Sequence, residues 1–194
     1  MTDIELMQDI KARFGDTIAA AAGVSSVPAA FLAALIANES GGNINAKRFE
    51  PHVLAALWEV LLGRKTAYGS IARSSLVGYV TGISVPTINV PANLPANAFQ
   101  RVDALATSWG LTQIMGYHAL EFGVTIDTLI SPEDSLPVAT KMLTGFARSF
   151  QLDVTKDFEQ MLRCWNGGHP TAQTFDPQYV PNGLERMQLW TSLT

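Results

Sequence analysis

The segment Ala29–Ala37 (Ala-Ala-Phe-Leu-Ala-Ala-Leu-Ile-Ala) carries no polar side chain at all. A helix that is apolar on every side is stable in water only when other elements surround it, so this segment predicts a helix through the middle of a folded core. Its boundaries are written beside it. Pro28 sits near a first helical position with Ser25 or Ser26 as the candidate N-cap, and Gly41-Gly42 ends the helix after about Asn38. The apolar stretch Pro28–Ala37 is about half the length a bilayer span requires, which excludes a transmembrane reading. The first ionisable group to follow it is Glu39, at the predicted C-terminal end of the buried helix.

The rest of the chain supplies elements to cover that helix. Ile4, Met7, Ile10, Phe14 and Ile18 recur at helical spacing within an N-terminal helix in residues 1–25. A further helix is predicted over Pro51–Leu62, with Val53, Leu54, Leu57, Val60 and Leu61 on one face and Gly63 as its stop. Residues 74–97 are polar and β-branched, interrupted by Pro86, Pro91 and Pro95, and read as a long irregular insertion. Helices are again expected near 99–106, 111–122, 132–149, 155–165 and 184–193, the third opened by Ser131 as N-cap, Pro132 and two early acids. A short β-hairpin is expected after Gly42. With 194 residues, of which 47% are hydrophobic, the expectation is a mainly α fold, one domain over 1–194.

Charge and residue counts remove several function classes. A net charge of -4, with no basic run, speaks against a sequence-independent grip on nucleic acid. Cys164 is the only cysteine, so no intrachain disulfide forms, and it reads as a small buried hydrophobe rather than a catalytic thiol. His52, His118 and His169 match no zinc spacing, so neither metal nor cofactor is expected. Asp3, Glu5 and Asp9 precede any basic residue, unlike a signal peptide, so synthesis as a soluble protein is expected.

Glu39 is the leading candidate for chemistry. Partial burial and the negative end of a helix dipole both disfavour a carboxylate, and a carboxyl that keeps its proton near neutral pH suits general acid catalysis. The competing reading is a solvated residue at a helix end. Gln113 offers a donor and an acceptor suited to the hydroxyl and N-acetyl groups of an amino sugar, or is an exposed helix glutamine. Trp109 and Trp165 are either sugar platforms or core residues. Asn166, ahead of Gly167-Gly168, serves a turn or a ligand. Glu50 is either a second carboxylate of the site or the ion-pair partner of Arg48.

Three strings give these residues a context. Leu35-Ile36-Ala37-Asn38-Glu39-Ser40-Gly41-Gly42, then Gly110-Leu111-Thr112-Gln113-Ile114-Met115, then Trp165-Asn166-Gly167-Gly168 resemble, in that order, the E-S-G-G, G-L-x-Q-I-M and Y-N-G-G segments of soluble lytic transglycosylases and goose-type lysozymes. Arg48-Phe49-Glu50-Pro51-His52-Val53 and Ser108-Trp109-Gly110 are similar to the F-E-P-H and S-W-G strings of phage-type N-acetylmuramidases, the branch the chain resembles most. Trp165 stands where that branch usually has tyrosine, and residues 169–178 make a longer spacer before Tyr179 than its members carry.

The resemblance implies a lysozyme-like catalytic domain acting on peptidoglycan glycan strands, with Glu39 as the acid at the β-1,4 bond between N-acetylmuramic acid and N-acetylglucosamine. It implies substrate contacts from Ser40, Gln113, Met115, Trp165, Asn166 and Tyr179, the last beside the acid. Two endings stay open: hydrolysis with Glu50 orienting a water, or attack by the muramic 6-hydroxyl to give a 1,6-anhydro product. A non-catalytic glycan-binding or virion module, or a chitinase-like enzyme, would use the same scaffold. The implied setting is a phage or prophage lysin, or a secreted effector, acting on the cell wall.

Overall fold

The computed structural model describes residues 1–82 and 95–193. In chain order the elements are α1 (Asp3–Gly23), α2 (Ala29–Glu39), β1 (Lys47–Phe49), α3 (Pro51–Leu61), β2 (Ala67–Tyr68), β3 (Ile71–Ala72), α4 (Arg73–Thr81), α5 (Ala98–Leu105), β4 (Thr107–Trp109), β5 (Ile114–Met115), α6 (His118–Phe122), α7 (Ile126–Ile130), α8 (Pro132–Phe150), α9 (Phe158–Gly167) and α10 (Tyr179–Ser192). The protein is mainly α, with small antiparallel sheets. It forms two compact units: Met1–Asn45 with Gly110–Thr112 and Ile130–Thr194, and Ala46–Trp109 with Gln113–Leu129.

In the first unit α2 is the central helix. Phe31 through Ile36 are wholly buried and Ala37 nearly so. Met7, Ile10, Phe14 and Ile18 of α1 pack in the same core as Leu136 and Leu143 of α8, Met161 and Leu162 of α9, and Tyr179, Val180 and Met187 of α10. The entry to α2 differs from expectation. Pro28 itself occupies the N-cap position, at φ -62° and ψ 141°, and no side chain caps the helix. Its carbonyl accepts from Phe31 and Leu32 N–H at 3.0 and 3.2 Å. Ser25 instead donates to Ala21 O at 2.9 Å, closing the end of α1. Ser131 does cap α8, accepting from Asp134 N–H at 3.4 Å.

The second unit gathers Val53, Leu57, Val60 and Leu61 of α3 with Leu76, Val77 and Val80 of α4 and Val102 and Leu105 of α5. Its sheet has the order β1-β4-β5, pairing Arg48 with Ser108 and Ser108 with Met115.

Several expectations fail here for local reasons. Residues 111–122 are not one helix. Gly110 and Gln113 both take left-handed backbone, at φ 71° and 53°, and fold the chain back from β4 into β5 before the short α6 begins. Gly116 fixes the next step, since a Cβ there would lie 2.1 Å from Ala104 O. Within the expected insertion 74–97, residues 74–81 are helical in α4, because Leu76, Val77 and Val80 bury one side. Pro86 and Pro91 lie outside the described residues. The strand after Gly42 is present as β1 but pairs with the distant β4, and the local hairpin is β2–β3. Asp153 delays the start of α9 beyond Thr155 by accepting from Thr155 N–H at 2.9 Å and from its hydroxyl at 2.6 Å. The last helix starts earlier than expected, with Tyr179 and Val180 buried in its first turn.

Candidate active site

Burial of α2 delivers Glu39 to the point where the helix leaves the core. It is the final helical residue and is half-buried. Ser40, in the C-cap position, donates to Ile36 O and accepts from Gly42 N–H, each at 3.2 Å. Gly41 and Gly42 then take left-handed backbone at φ 59° and 79°. A Cβ on Gly42 would lie 3.3 Å from Ile10 Cγ1, so both the turn and its packing on α1 favour glycine. The Ser-Gly-Gly string is thus the device that stops α2 directly after Glu39. Ser40 spends its hydroxyl on that turn.

Tyr179, the first residue of α10, donates its hydroxyl to Glu39 Oε1. Burial, then the Glu39 charge, then the hydrogen bond to Glu39 push the Tyr179 ionisation far above the ordinary phenol range. The side chain is therefore a permanent neutral donor, held 8% exposed against the core. A hydroxyl donating to a carboxylate favours its charged form and fixes its rotamer, while the helix end and partial burial act the other way.

The alignment of the two groups is enforced by residues that sequence reasoning missed. Asn38 Nδ2 donates to Tyr179 O at 2.8 Å, and Asn38 Oδ1 accepts from Arg186 Nη1 at 2.7 Å. Arg186 also holds Asp3 Oδ1 through Nε at 2.8 Å and Nη2 at 2.7 Å. This chain of contacts ties α1, α2 and α10 together at the level of Glu39. Gly183 lets α10 come close enough, because a Cβ there would meet Leu162 Cδ1 at 2.7 Å and Asn38 Nδ2 at 3.1 Å. The polar Asn38 at the end of an apolar run was the only local signal; nothing near Arg186 points to its distant partners.

Trp165 and Asn166 lie in the same unit, on the last turn of α9. Trp165 is half-buried against the first core and Asn166 is exposed. Gly168 closes that helix at φ 75°, and a Cβ on Gly167 would sit 2.5 Å from Ala172 Cβ. Cys164 is buried, and burial pushes its thiol up, away from reactivity.

Glu50, Gln113 and Met115 belong to the second unit. Gln113 Oε1 accepts from the Ser108 hydroxyl at 2.8 Å and its Nε2 donates to Ala46 O at 3.0 Å, so the amide also braces the sheet. Met115 is half-buried against the second core. Trp109 donates Nε1–H to Ala104 O at 2.9 Å. Glu50 stands at the N-cap position of α3 with its side chain 17% exposed. Arg48 Nε lies 2.6 Å from its Oε1, yet that buried oxygen receives no well-directed hydrogen bond, so the attraction is one of charge. His52 Nδ1 is 3.5 Å from Oε2. Among the described residues, no three His, Cys, Asp or Glu side chains gather into a metal-binding group, and no helix is long and apolar enough to cross a membrane.

Compared with family models, curated proteins and solved structures, the chain finds no match. What the site can do therefore follows from its own geometry. A carboxyl group at the mouth of an apolar core, oriented by a buried, neutral phenol, is equipped to give and retake a proton at a fixed point.

Proposed function

We propose that the protein is a peptidoglycan-cleaving glycosidase acting on the β-1,4 bond between N-acetylmuramic acid and N-acetylglucosamine. One observation carries the reading: Tyr179 donates to Glu39 where the buried helix α2 ends. The ordered strings around Glu39, Gln113 and Asn166 supply the substrate class through their resemblance to muramidases. Glu39 protonates the leaving oxygen as positive charge builds on the muramic ring, and Tyr179 keeps the carboxyl rotamer aligned through Oε1. In hydrolysis a water then attacks, with Glu50 as the candidate second carboxylate.

A second reading has its own support. Arg48 Nε lies 2.6 Å from Glu50 Oε1, so that carboxylate is already held in an ion pair rather than left open to a water. Glu39 would then act first as acid and afterwards as base for the muramic 6-hydroxyl, as in a lytic transglycosylase. Mass spectrometry of fragments released from purified sacculi separates the two. Reducing muramic ends support hydrolysis; predominantly 1,6-anhydro ends overturn hydrolysis and support the transglycosylase.

A further inference from the structure

Beside the Glu39–Tyr179 pair, the first unit contains a groove of about 600 Å³ that the proposed chemistry does not use. Glu159 and Arg163 of α9 form one side. Gln173 and Thr174, from the connection between α9 and α10, form another, and Pro181 and Leu184 of α10 contribute apolar surface. The volume falls within the range of small-ligand sites. We propose that this groove binds a short peptide carrying a side-chain ammonium and a free carboxylate, namely the stem peptide borne by the muramic residue, whose N-terminus is closed by its amide link to the sugar and whose diamino acid supplies the ammonium. The identification of that peptide rests on the glycosidase reading of Glu39.

The charge pattern supports a zwitterionic ligand. Arg163 donates through Nε and Nη2 to Glu159 Oε1, at 3.2 and 2.9 Å, and through Nη1 to Ala172 O at 3.0 Å. A guanidinium has five N–H donors, so two remain after these three bonds, and Glu159 Oε2 takes part in none of them. The pair therefore offers a cationic and an anionic contact side by side, suited to a carboxylate and an ammonium of one ligand. A neutral sugar needs neither. Pro181 and Leu184 give small methyl groups an apolar surface. Val180, which also lines the groove, follows Tyr179 directly, so the groove borders the helical turn that holds the phenol on Glu39. The connection that forms the other wall is tied down by the Arg163–Ala172 bond and by the Thr174 hydroxyl donating to Asp176 O at 2.7 Å. It leaves Phe175 fully exposed on the same segment.

The test uses the full chain carrying Glu39→Gln, titrated calorimetrically with the synthetic tetrapeptide N-acetyl-L-Ala-γ-D-Glu-L-Lys-D-Ala, whose blocked N-terminus leaves the lysine ammonium as its only cation. The expected result is saturable binding that Arg163→Gln weakens by about tenfold or more, the size of a lost charged hydrogen bond. Because Arg163 also braces the loop, Gln173→Trp provides an independent check: it fills the groove from an exposed position and should weaken binding with the melting temperature unchanged. Absence of saturable binding, or binding indifferent to both variants, overturns the proposal. Displacement of the peptide by N-acetylglucosamine oligomers also overturns it, in favour of a sugar subsite. Peptide binding by a wild-type chain that leaves sacculi uncut supports the groove and counts against the glycosidase reading. Lysis without peptide binding overturns the groove alone.

Discussion

Replacing Tyr179 with phenylalanine isolates the hydrogen bond on which the active-site account depends. The ring is 8% exposed and packs in the first core, so Tyr179→Phe keeps its contacts and deletes only the hydroxyl. Glu39 is half-buried, and water can replace the lost donor, so the stability change should stay within about 1 kcal/mol. Catalysis should respond more strongly. A hydrogen bond to a charged group is worth roughly 1.5–3 kcal/mol, which corresponds to a fall in kcat/KM of about tenfold to a hundredfold if the full interaction is needed in the transition state. The pH profile supplies a readout that simple misfolding would not. The hydroxyl favours the ionised carboxylate, so its removal should move the limb governed by Glu39 to higher pH. Initial rates of sacculus clearing, measured across pH on variants of matched melting temperature, test both effects. An unchanged kcat/KM together with an unmoved pH limb would refute the orienting role of Tyr179.

Other consequences follow from packing and charge. Gly116→Ala places a Cβ 2.1 Å from the backbone oxygen of Ala104, which cannot move aside as a flexible side chain would; we expect destabilisation of about 3 kcal/mol or more by urea denaturation. Arg186→Ala removes the ties to Asp3 and Asn38 and should cost roughly 1–3 kcal/mol in the same assay. In that variant kcat should fall under conditions where the protein is still fully folded, because Asn38 no longer fixes the start of α10. The Asp153 carboxyl is held down to about 2, chiefly by the Thr155 hydroxyl and then by its N–H and Lys156. The turn it forms should therefore contribute fully above the ordinary value of 3.8 and be lost as pH falls through about 2. Carboxyl-detected NMR titration reads this directly, and a midpoint at the ordinary value contradicts it.

The legible parts of the fold are those where one segment contains its own instruction. An all-apolar α2 has to be central, and Ser131-Pro132 starts α8 wherever that helix packs. The position of Glu39 follows from the first of these, since two glycines stop the helix just after it. Strands of two or three residues have no period to read. The spacing of Leu111, Ile114 and Met115 imitates a helix, while the left-handed backbone at Gln113, rare for that residue type, turns the segment into a hairpin. Glu39 and Glu50 are visible as residue types in telling strings, but what they touch is not. The Asp3–Arg186–Asn38 ties join positions separated by most of the chain. No local pattern encodes them.

The central claim, that Glu39 supplies the proton for glycosidic cleavage, is tested most directly by Glu39→Gln on purified sacculi. The substitution keeps the shape of the side chain and removes its acid, leaving an amide oxygen able to accept from Tyr179. The account predicts a folded protein with a near-wild-type melting temperature that releases almost no muropeptide, against ready release by the wild type. Release at a rate comparable to wild type from the purified, folded variant contradicts it.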